Sequence, residues 1–409
     1  MAQYYRGQYI DQLLKLKDKH YIKVLTGIRR SGKSTILSQF QEKIKTDLNI
    51  KPEQIIKYDF NDPNNLQLTY LEIYNTIIKK AVKNKMNYVF LDEVQEIKEW
   101  ERCVIGLYEN KTINFDIYLT GSNSKMLSSE LSTLLTGRHR DIFVMPLTLK
   151  EFSEITKEKD INKTFFNYSL IGGLGIIIPN IDNIQEAKKD LSTVLNDTIN
   201  KDFKYCHNNT RNILIDKIIK YALSNAGKPI SSTKTAIQIN KSDEEKISHV
   251  SISNYLQWSV DAMLLYRVNY YNIKTKSILK TTGKYYAGDI GVLNSVIGYK
   301  DNSFGNKLEN IVFLNLLSLG YEVYTAELYQ KNKDNKEIDF VVFKDNGFKY
   351  IQVTHTLTEQ NKKREVGNLL SIKDGFDKII LLISDETKYK VDGIKRINIV
   401  RWLMNEVTI

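Results

Sequence analysis

Cysteine is nearly missing from this chain: Cys103 and Cys206 are the only two in 409 residues, and they stand far apart. That excludes a disulfide framework and a cysteine-built zinc site, and it suits a reducing, cytoplasmic setting. Proline is scarce too, with 5 residues, and the 20 glycines show no period, which excludes collagen-like and proline-rich disordered chains. Long apolar runs are lacking. The most apolar stretch, Leu170 to Pro179, is interrupted by Gly172, Gly173 and Gly175 and is too short for a bilayer. The opening Met1-Ala2-Gln3-Tyr4-Tyr5-Arg6 has no apolar core of a secretory leader, so no membrane role is expected. Acidic residues are outnumbered, 48 against 59 basic, giving a net charge of +11. That balance suits an acidic partner such as DNA, and equally a solvated lysine-rich surface.

What the chain does have is apolar content of 42% and a length that exceeds one ordinary core, so several domains are expected. In residues 1–145 short apolar runs alternate with amphipathic stretches, the pattern of a parallel α/β sheet. Candidate strands are Ile22 to Thr26, Ile55 to Phe60, Tyr88 to Asp92, Ile117 to Thr120 and Ile142 to Met145. Between them, Ile36, Leu37, Phe40 and Ile44 share a helical face, as do Leu71, Tyr74 and Ile78. Residues 146–210 read as a helical lid or linker. In residues 211–290 three short helices precede two strand-like segments, Leu264 to Tyr271 and Ser277 to Ala287, an order that predicts a winged helix-turn-helix. Ser253 to Met263 would be its recognition helix, with Asn254 and Gln257 facing a groove and Lys274 and Lys276 in the wing. Residues 291–409 begin with a helix, Ser303 to Leu319, and return to strands.

Gly27-Ile28-Arg29-Arg30-Ser31-Gly32-Lys33-Ser34-Thr35 has the spacing of a phosphate-binding loop, and it lies between a predicted strand and a predicted helix. The glycines let the backbone curl so that N–H groups face phosphate oxygens, and the helix N-terminus adds its dipole. Lys33 is expected on the β- and γ-phosphates and Ser34 on Mg²⁺. The strand Tyr88 to Asp92 ends in two carboxylates: Asp92 would hold the metal with Ser34, and Glu93 would orient and deprotonate the attacking water. Ser122 or Asn123, closing the next strand, is the candidate γ-phosphate sensor, competing with a plain Gly-Ser-Asn turn. Arg138 is a candidate arginine finger, acting in cis or in trans, or an ordinary surface arginine. The segment Ile10 to Ile22, with Tyr21, is a candidate wall for the base.

The phosphate loop, Leu91-Asp92-Glu93-Val94-Gln95, Thr120-Gly121-Ser122-Asn123, Leu135-Thr136-Gly137-Arg138 and Pro146-Leu147-Thr148-Leu149-Lys150-Glu151-Phe152 are similar to strings in one family. They resemble the bacterial and archaeal AAA-type ATPases that carry a C-terminal domain of unknown function. The likeness continues through Leu264-Leu265-Tyr266-Arg267-Val268, Lys284-Tyr285-Tyr286 and Gly305-Asn306-Lys307-Leu308-Glu309-Asn310. It implies ATP as the nucleotide, an AAA-like core, a winged helix and a restriction-endonuclease-like C-terminal fold. One departure is Gly172-Gly173-Leu174-Gly175, where the family usually has an aromatic residue and a proline after the glycine pair. Glu309, Asp339 and Gln352 have the order of a nuclease metal site, but Thr354 stands where a lysine is expected, so a vestigial site is the leading expectation. The overall expectation is an α/β multidomain ATP-hydrolysing switch or motor acting on DNA, with homo-oligomers or a protein partner as further options. The alternatives are an ATP-gated endonuclease and an ATP-dependent signalling scaffold.

Overall fold

The computed structural model describes residues 4–121, 137–200, 212–242, 246–298, 304–328, 336–345, 347–384, 390–391 and 393–409. They form two compact units, one made of Met1–Val144 with Asp261–Met263, the other of Met145–Val260 with Leu264–Ile409.

The first unit is built on β1 (Ile22–Thr26), β2 (Ile55–Asp59), β3 (Met86–Asp92), β4 (Asn114–Gly121) and β5 (His139–Phe143), all parallel in the order β2-β3-β4-β1-β5. A parallel sheet has both faces covered, so its central strands read as continuous apolar runs. Ile22, Val24, Val89, Leu91, Ile117 and Leu119 pack on one side against Ile73 and Ile77 and the helix Trp100–Tyr108. Leu25, Tyr88, Phe90, Tyr118 and Ile142 pack on the other against Ile10 and Leu13 and against Ile36, Leu37, Phe40 and Ile44 of the helix Lys33–Leu48. Two expectations need correcting. In the helix Tyr70–Lys80 the buried face carries Ile73 and Ile77, while Leu71 is exposed. The last strand starts at His139, not Ile142, because β5 is an edge strand whose first residues are polar and exposed; only its end carries the apolar signal.

At the amino ends of β1 and β4, Lys23 and Asp116 form a fully buried ion pair. The Asp116 carboxylate also accepts from the Asp18 N–H at 2.8 Å and the Tyr118 hydroxyl at 2.8 Å, and the Lys23 ammonium donates to the Lys19 carbonyl at 2.8 Å. Burial pushes each partner toward its neutral form, raising the Asp116 pKa and lowering that of Lys23, while their mutual attraction opposes both shifts.

The second unit continues with β6 (Lys228–Pro229), β7 (Leu265–Asn272), β8 (Ser277–Ala287), β9 (Glu322–Leu328), β10 (Lys336–Lys344), β11 (Gly347–Thr354), β12 (Asp377–Leu382), β13 (Lys390–Val391) and β14 (Ile394–Asn398). They form one sheet in the order β13-β14-β12-β11-β10-β9-β7-β8-β6. The β7–β8 hairpin joins it through Tyr270 opposite Thr325, so strands from both sides of the expected boundary at 290 share one sheet. Before the hairpin lie the helices Asn212–Ser224, Ser232–Ser242 and His249–Asp261. The third starts at His249 rather than Ser253 because the Ser248 hydroxyl caps it, accepting from the Ser251 N–H at 3.0 Å.

The Gly172-Gly173 pair has a steric reason. A Cβ at Gly173 would lie 2.2 Å from the Leu147 carbonyl oxygen, and Gly172 has φ +68° with Asp289 against it. The buried Asp289 carboxylate accepts from the Gly173 N–H at 2.8 Å and caps the helix Ile290–Ile297 through the Gly291 and Val292 N–H groups at 2.8 and 3.1 Å.

Candidate functional site

β1 leads into the Gly27–Gly32 turn and then into the helix Lys33–Leu48, while β3 and β4 end beside it at Asp92 and Gly121. Ligands of open α/β sheets bind at this carboxyl edge. Gly27 is required there: a Cβ would stand 2.3 Å from the Val144 carbonyl oxygen and 2.9 Å from Ser31 Oγ. Arg30 and Gly32 take positive φ values of 68° and 98°, which curl the loop back on itself. The Lys33 ammonium arches over the turn and donates to the carbonyls of Gly27 at 3.0 Å and Ile28 at 3.3 Å. Ser31 Oγ and Thr26 Oγ1 are buried without a hydrogen-bond partner. A buried hydroxyl left unpaired costs stability, so the two mark the place of a polar ligand, and this donor set fits a phosphate chain.

Asp92, the last residue of β3, is buried, and its carboxylate accepts from the hydroxyls of Thr120 and Ser34. Burial raises its pKa; the two hydroxyls pull it back, and Glu93 and Asp59 add to the rise. Glu93 has φ +55°, uncommon for a residue with a side chain. Its N–H donates to Thr120 Oγ1 at 2.9 Å, and its carboxylate accepts from the Gln95 amide. A hard divalent cation prefers oxygen ligands of this kind, so Asp92 and Ser34 fit Mg²⁺.

Thr120 was not among the expected site residues, yet its hydroxyl joins both carboxylate-bearing residues. Its only sequence signal is its place before Gly121 at the end of a strand. Arg6 was missed as well: its buried guanidinium lies over the Tyr9 ring at 4.6 Å and donates to the Ser31 carbonyl at 3.3 Å. The Arg6 N–H donates to Gln39 at 3.2 Å, and the Gln39 amide donates to the Tyr4 carbonyl at 2.7 Å. These bonds tie the start of the described chain to the phosphate-loop helix.

The remaining candidates divide. Ser122 and Asn123 lie outside the described residues. Arg138 precedes β5, and its carbonyl accepts from the Ile22 N–H at 2.8 Å, which puts it at the amino edge of the sheet, away from the loop. Its guanidinium pairs with Glu109 at 2.8 Å. Tyr21, the candidate wall for the base, sits at that same edge under the Arg140 guanidinium, 4.1 Å from its ring centroid. The structure therefore brings together Gly27–Thr35, Asp92, Glu93 and Thr120, and leaves Arg138 and Tyr21 out.

In the second unit, Glu309 lies on the helix Phe304–Ser318, Asp339 in β10 and Gln352 in β11. One Glu309 oxygen accepts from the Lys284 ammonium at 3.1 Å and from the Tyr286 hydroxyl. Lys284 also pairs with Glu337, and Asp339 accepts from the Val353 N–H at 2.7 Å. Burial, then Glu309, pushes the Asp339 pKa well up, with Lys284 opposing. Among the described residues no group of three or more His, Cys, Asp or Glu is placed to hold a metal, and no helix is long and apolar enough to cross a membrane.

A parallel five-stranded sheet with a Gly-x-x-x-x-Gly-Lys-Ser loop after β1 and a carboxylate pair closing β3 defines a P-loop fold of the AAA ATPase type. The chain belongs to the AAA-domain family: residues 19–153 match the AAA domain, and residues 162–303 match a domain of unknown function (DUF8612). An uncharacterized protein of Haemophilus influenzae is 31% identical over 405 residues, covering 98% of each chain. The uncharacterized protein MJ1544 of Methanocaldococcus jannaschii is 33% identical over 360 residues, 84% of this chain and 77% of that one. Among solved structures, a Walker-type ATPase of Pyrococcus abyssi is similar with a TM-score of 0.49 at 16% identity, over 72% of this chain and 96% of that one.

Proposed function

We propose that this chain binds ATP with Mg²⁺, hydrolyses it, and uses the step as a switch or motor on DNA. The carrying observation is the hydrogen-bonded group of Ser34, Asp92, Thr120 and Glu93 beside a loop whose Ser31 hydroxyl is buried and unpaired. Bound there, Mg²⁺ supplies charge neutralisation for the β- and γ-phosphates. Ser34 and Asp92 hold the ion. Gly27–Thr35 cradle the phosphates and Lys33 balances their charge. Glu93 orients the attacking water and takes its proton. Ser122 or Asn123 reads the γ-phosphate. Since Arg138 lies at the amino edge of its own sheet, it does not serve its own site; in this reading it reaches the site of a second copy of the chain or is an ordinary surface arginine.

The DNA part of this reading rests on the net charge of +11 and on the second unit. Its three helices and the β7–β8 hairpin have the order of a winged helix, with Asn254, Lys274 and Lys276 exposed. The helix Phe304–Ser318, antiparallel β9–β10–β11, the helix Glu359–Leu370 and β12 parallel to β11 follow the order of a restriction-endonuclease-like fold.

The test is phosphate release from ATP and from GTP by wild type, Lys33→Ala and Glu93→Gln, with and without duplex or single-stranded DNA. Turnover of ATP by wild type alone, changed by DNA, is the expected result. A wild type that binds ATP tightly but stays inert removes the motor reading and leaves a switch. Turnover indifferent to DNA, with no salt-sensitive DNA binding, favours a scaffold for protein partners.

A further inference from the structure

We propose that Lys284 is the resident cation of the carboxylate site formed by Glu309, Glu337 and Asp339, holding the place a divalent ion would take and keeping the site closed to metal. The lysine comes from β8, which precedes the helix, the strands β9 to β11 and the helix that carry the other residues. Its side chain is 3% exposed; the ammonium lies 3.1 Å from Glu309 and forms a second ion pair with Glu337. Two residues on, Tyr286 donates to the same Glu309 oxygen, and its ring stacks on Phe313 with centroids 4.6 Å apart. Strand β8 therefore presents both donors to Glu309 from one face.

The placement of Asp339 fits a built site. Ile338 pairs with Ala326 and Val341 with Tyr324, so the two residues between them on β10 face one, Thr325, on β9: a β-bulge. A bulge re-aims the side chains it contains, and here it lets the Asp339 carboxylate turn onto the Val353 N–H of the neighbouring strand.

Two further buried oxygens lie on elements next to Asp339. Gln352, next to Val353, is 6% exposed, and its Oε1 has no hydrogen-bond partner. Glu365 on the helix Glu359–Leu370 has a side chain 2% exposed; Arg364 reaches one of its oxygens, and Oε2 has no hydrogen-bond partner. Such buried acceptors are rare because each costs stability. A nuclease metal site would use Glu309, Asp339 and Gln352 as ligands and place a lysine beside the last of them. This chain has Thr354 there, its hydroxyl donating instead to the Thr356 carbonyl at 3.1 Å. The cation is found on the opposite flank, bonded to the very carboxylate a metal would need. The residues therefore do not fit a resident divalent ion.

The test uses full-length, nucleotide-free protein and Mn²⁺ as the probe, with bound ion read from the loss of the free-Mn²⁺ resonance signal. Wild type and Asp339→Asn are expected to take up equal amounts. Lys284→Met, which keeps the aliphatic stem and removes the charge, is expected to gain one equivalent with affinity raised roughly tenfold or more, as the like charge is gone. The double variant Lys284→Met/Asp339→Asn is expected to lose that gain. Equal uptake by wild type and Lys284→Met overturns the proposal. Should Lys284→Met fail to fold, plasmid nicking in Mg²⁺ or Mn²⁺ still decides: the proposal expects wild type and Asp339→Asn to be alike, and nicking lost in Asp339→Asn overturns it.

Discussion

Replacing Thr120 by valine keeps the shape of the side chain and removes one oxygen. In the folded protein that oxygen accepts from the Glu93 N–H at 2.9 Å and donates to the Asp92 carboxylate, all three groups being buried. The substitution leaves the Glu93 N–H and one Asp92 oxygen without their partner. At about 1–3 kcal/mol for each of the two buried polar groups left unpaired, the expected loss is about 2–6 kcal/mol, read from the midpoint of urea denaturation. The second effect is on catalysis. The Thr120 hydroxyl is one of two donors that pull the Asp92 pKa down against burial, so its loss raises that pKa further. The acid limb of the ATPase pH profile should move to higher pH, and turnover should fall by about tenfold for each 1.4 kcal/mol of positioning lost. Thr120→Ser, which retains the hydroxyl, should keep both stability and profile near wild type. A valine variant within about 0.5 kcal/mol of wild type, with an unshifted acid limb, would refute the coupling of Thr120 to Asp92 and Glu93.

Other perturbations follow from the same geometry. Lys23→Met leaves a buried Asp116 without its cation and should cost about 3–5 kcal/mol in urea denaturation, most of it recovered by Lys23→Met/Asp116→Asn, which removes the charge as well. Asp289 is buried with its pKa raised to about 6, against an ordinary 3.8, so the folded state holds this proton more tightly than the unfolded one. Its contribution to stability is therefore most favourable below pH ~4 and is lost as pH rises to about 6, by about 3 kcal/mol, so Asp289→Asn should be more damaging at pH 4 than at pH 7 by about that amount. Arg138→Ala should leave the ATPase rate of dilute protein within about threefold of wild type, because its guanidinium faces Glu109 at the amino edge of the sheet; a loss approaching that of a true finger would contradict this placement.

How much of this was legible in sequence depended on the range of the interaction. β1 coincides with its expected bounds because both its faces are buried and the glycine-rich loop marks its end. β5 was misplaced because Ile142 is its one buried residue and the polar start of this edge strand carries no apolar signal. The pairing of Thr120 with Asp92 spans 28 residues and rests on the alignment of neighbouring strands, which no local pattern records. Lys284 lies beyond the expected boundary at 290 from every carboxylate it serves, so a reading domain by domain separated the partners. The placement of Arg138, by contrast, was derivable. A residue just before a strand of a parallel sheet must lie at its amino edge, and the phosphate loop follows a strand.

Both units bury carboxylates, and the identity of the donors separates their chemistry. Asp92 is held by the hydroxyls of Ser34 and Thr120, which hydrogen-bond to a carboxylate without cancelling its charge. Burial then makes the ionised form costly, and a divalent cation is the partner that removes this cost. Glu309 is held by an ammonium and a phenol, so part of its charge is already offset within the chain. A metal arriving there would have to displace a buried lysine from Glu309 and would meet its like charge, held close by the second ion pair with Glu337. Hydroxyl donors keep a carboxylate available to a cation, whereas an ammonium donor uses it up. On that criterion the metal of the proposed function belongs with the nucleotide of the first unit, and the donors of the second hold its carboxylates in place.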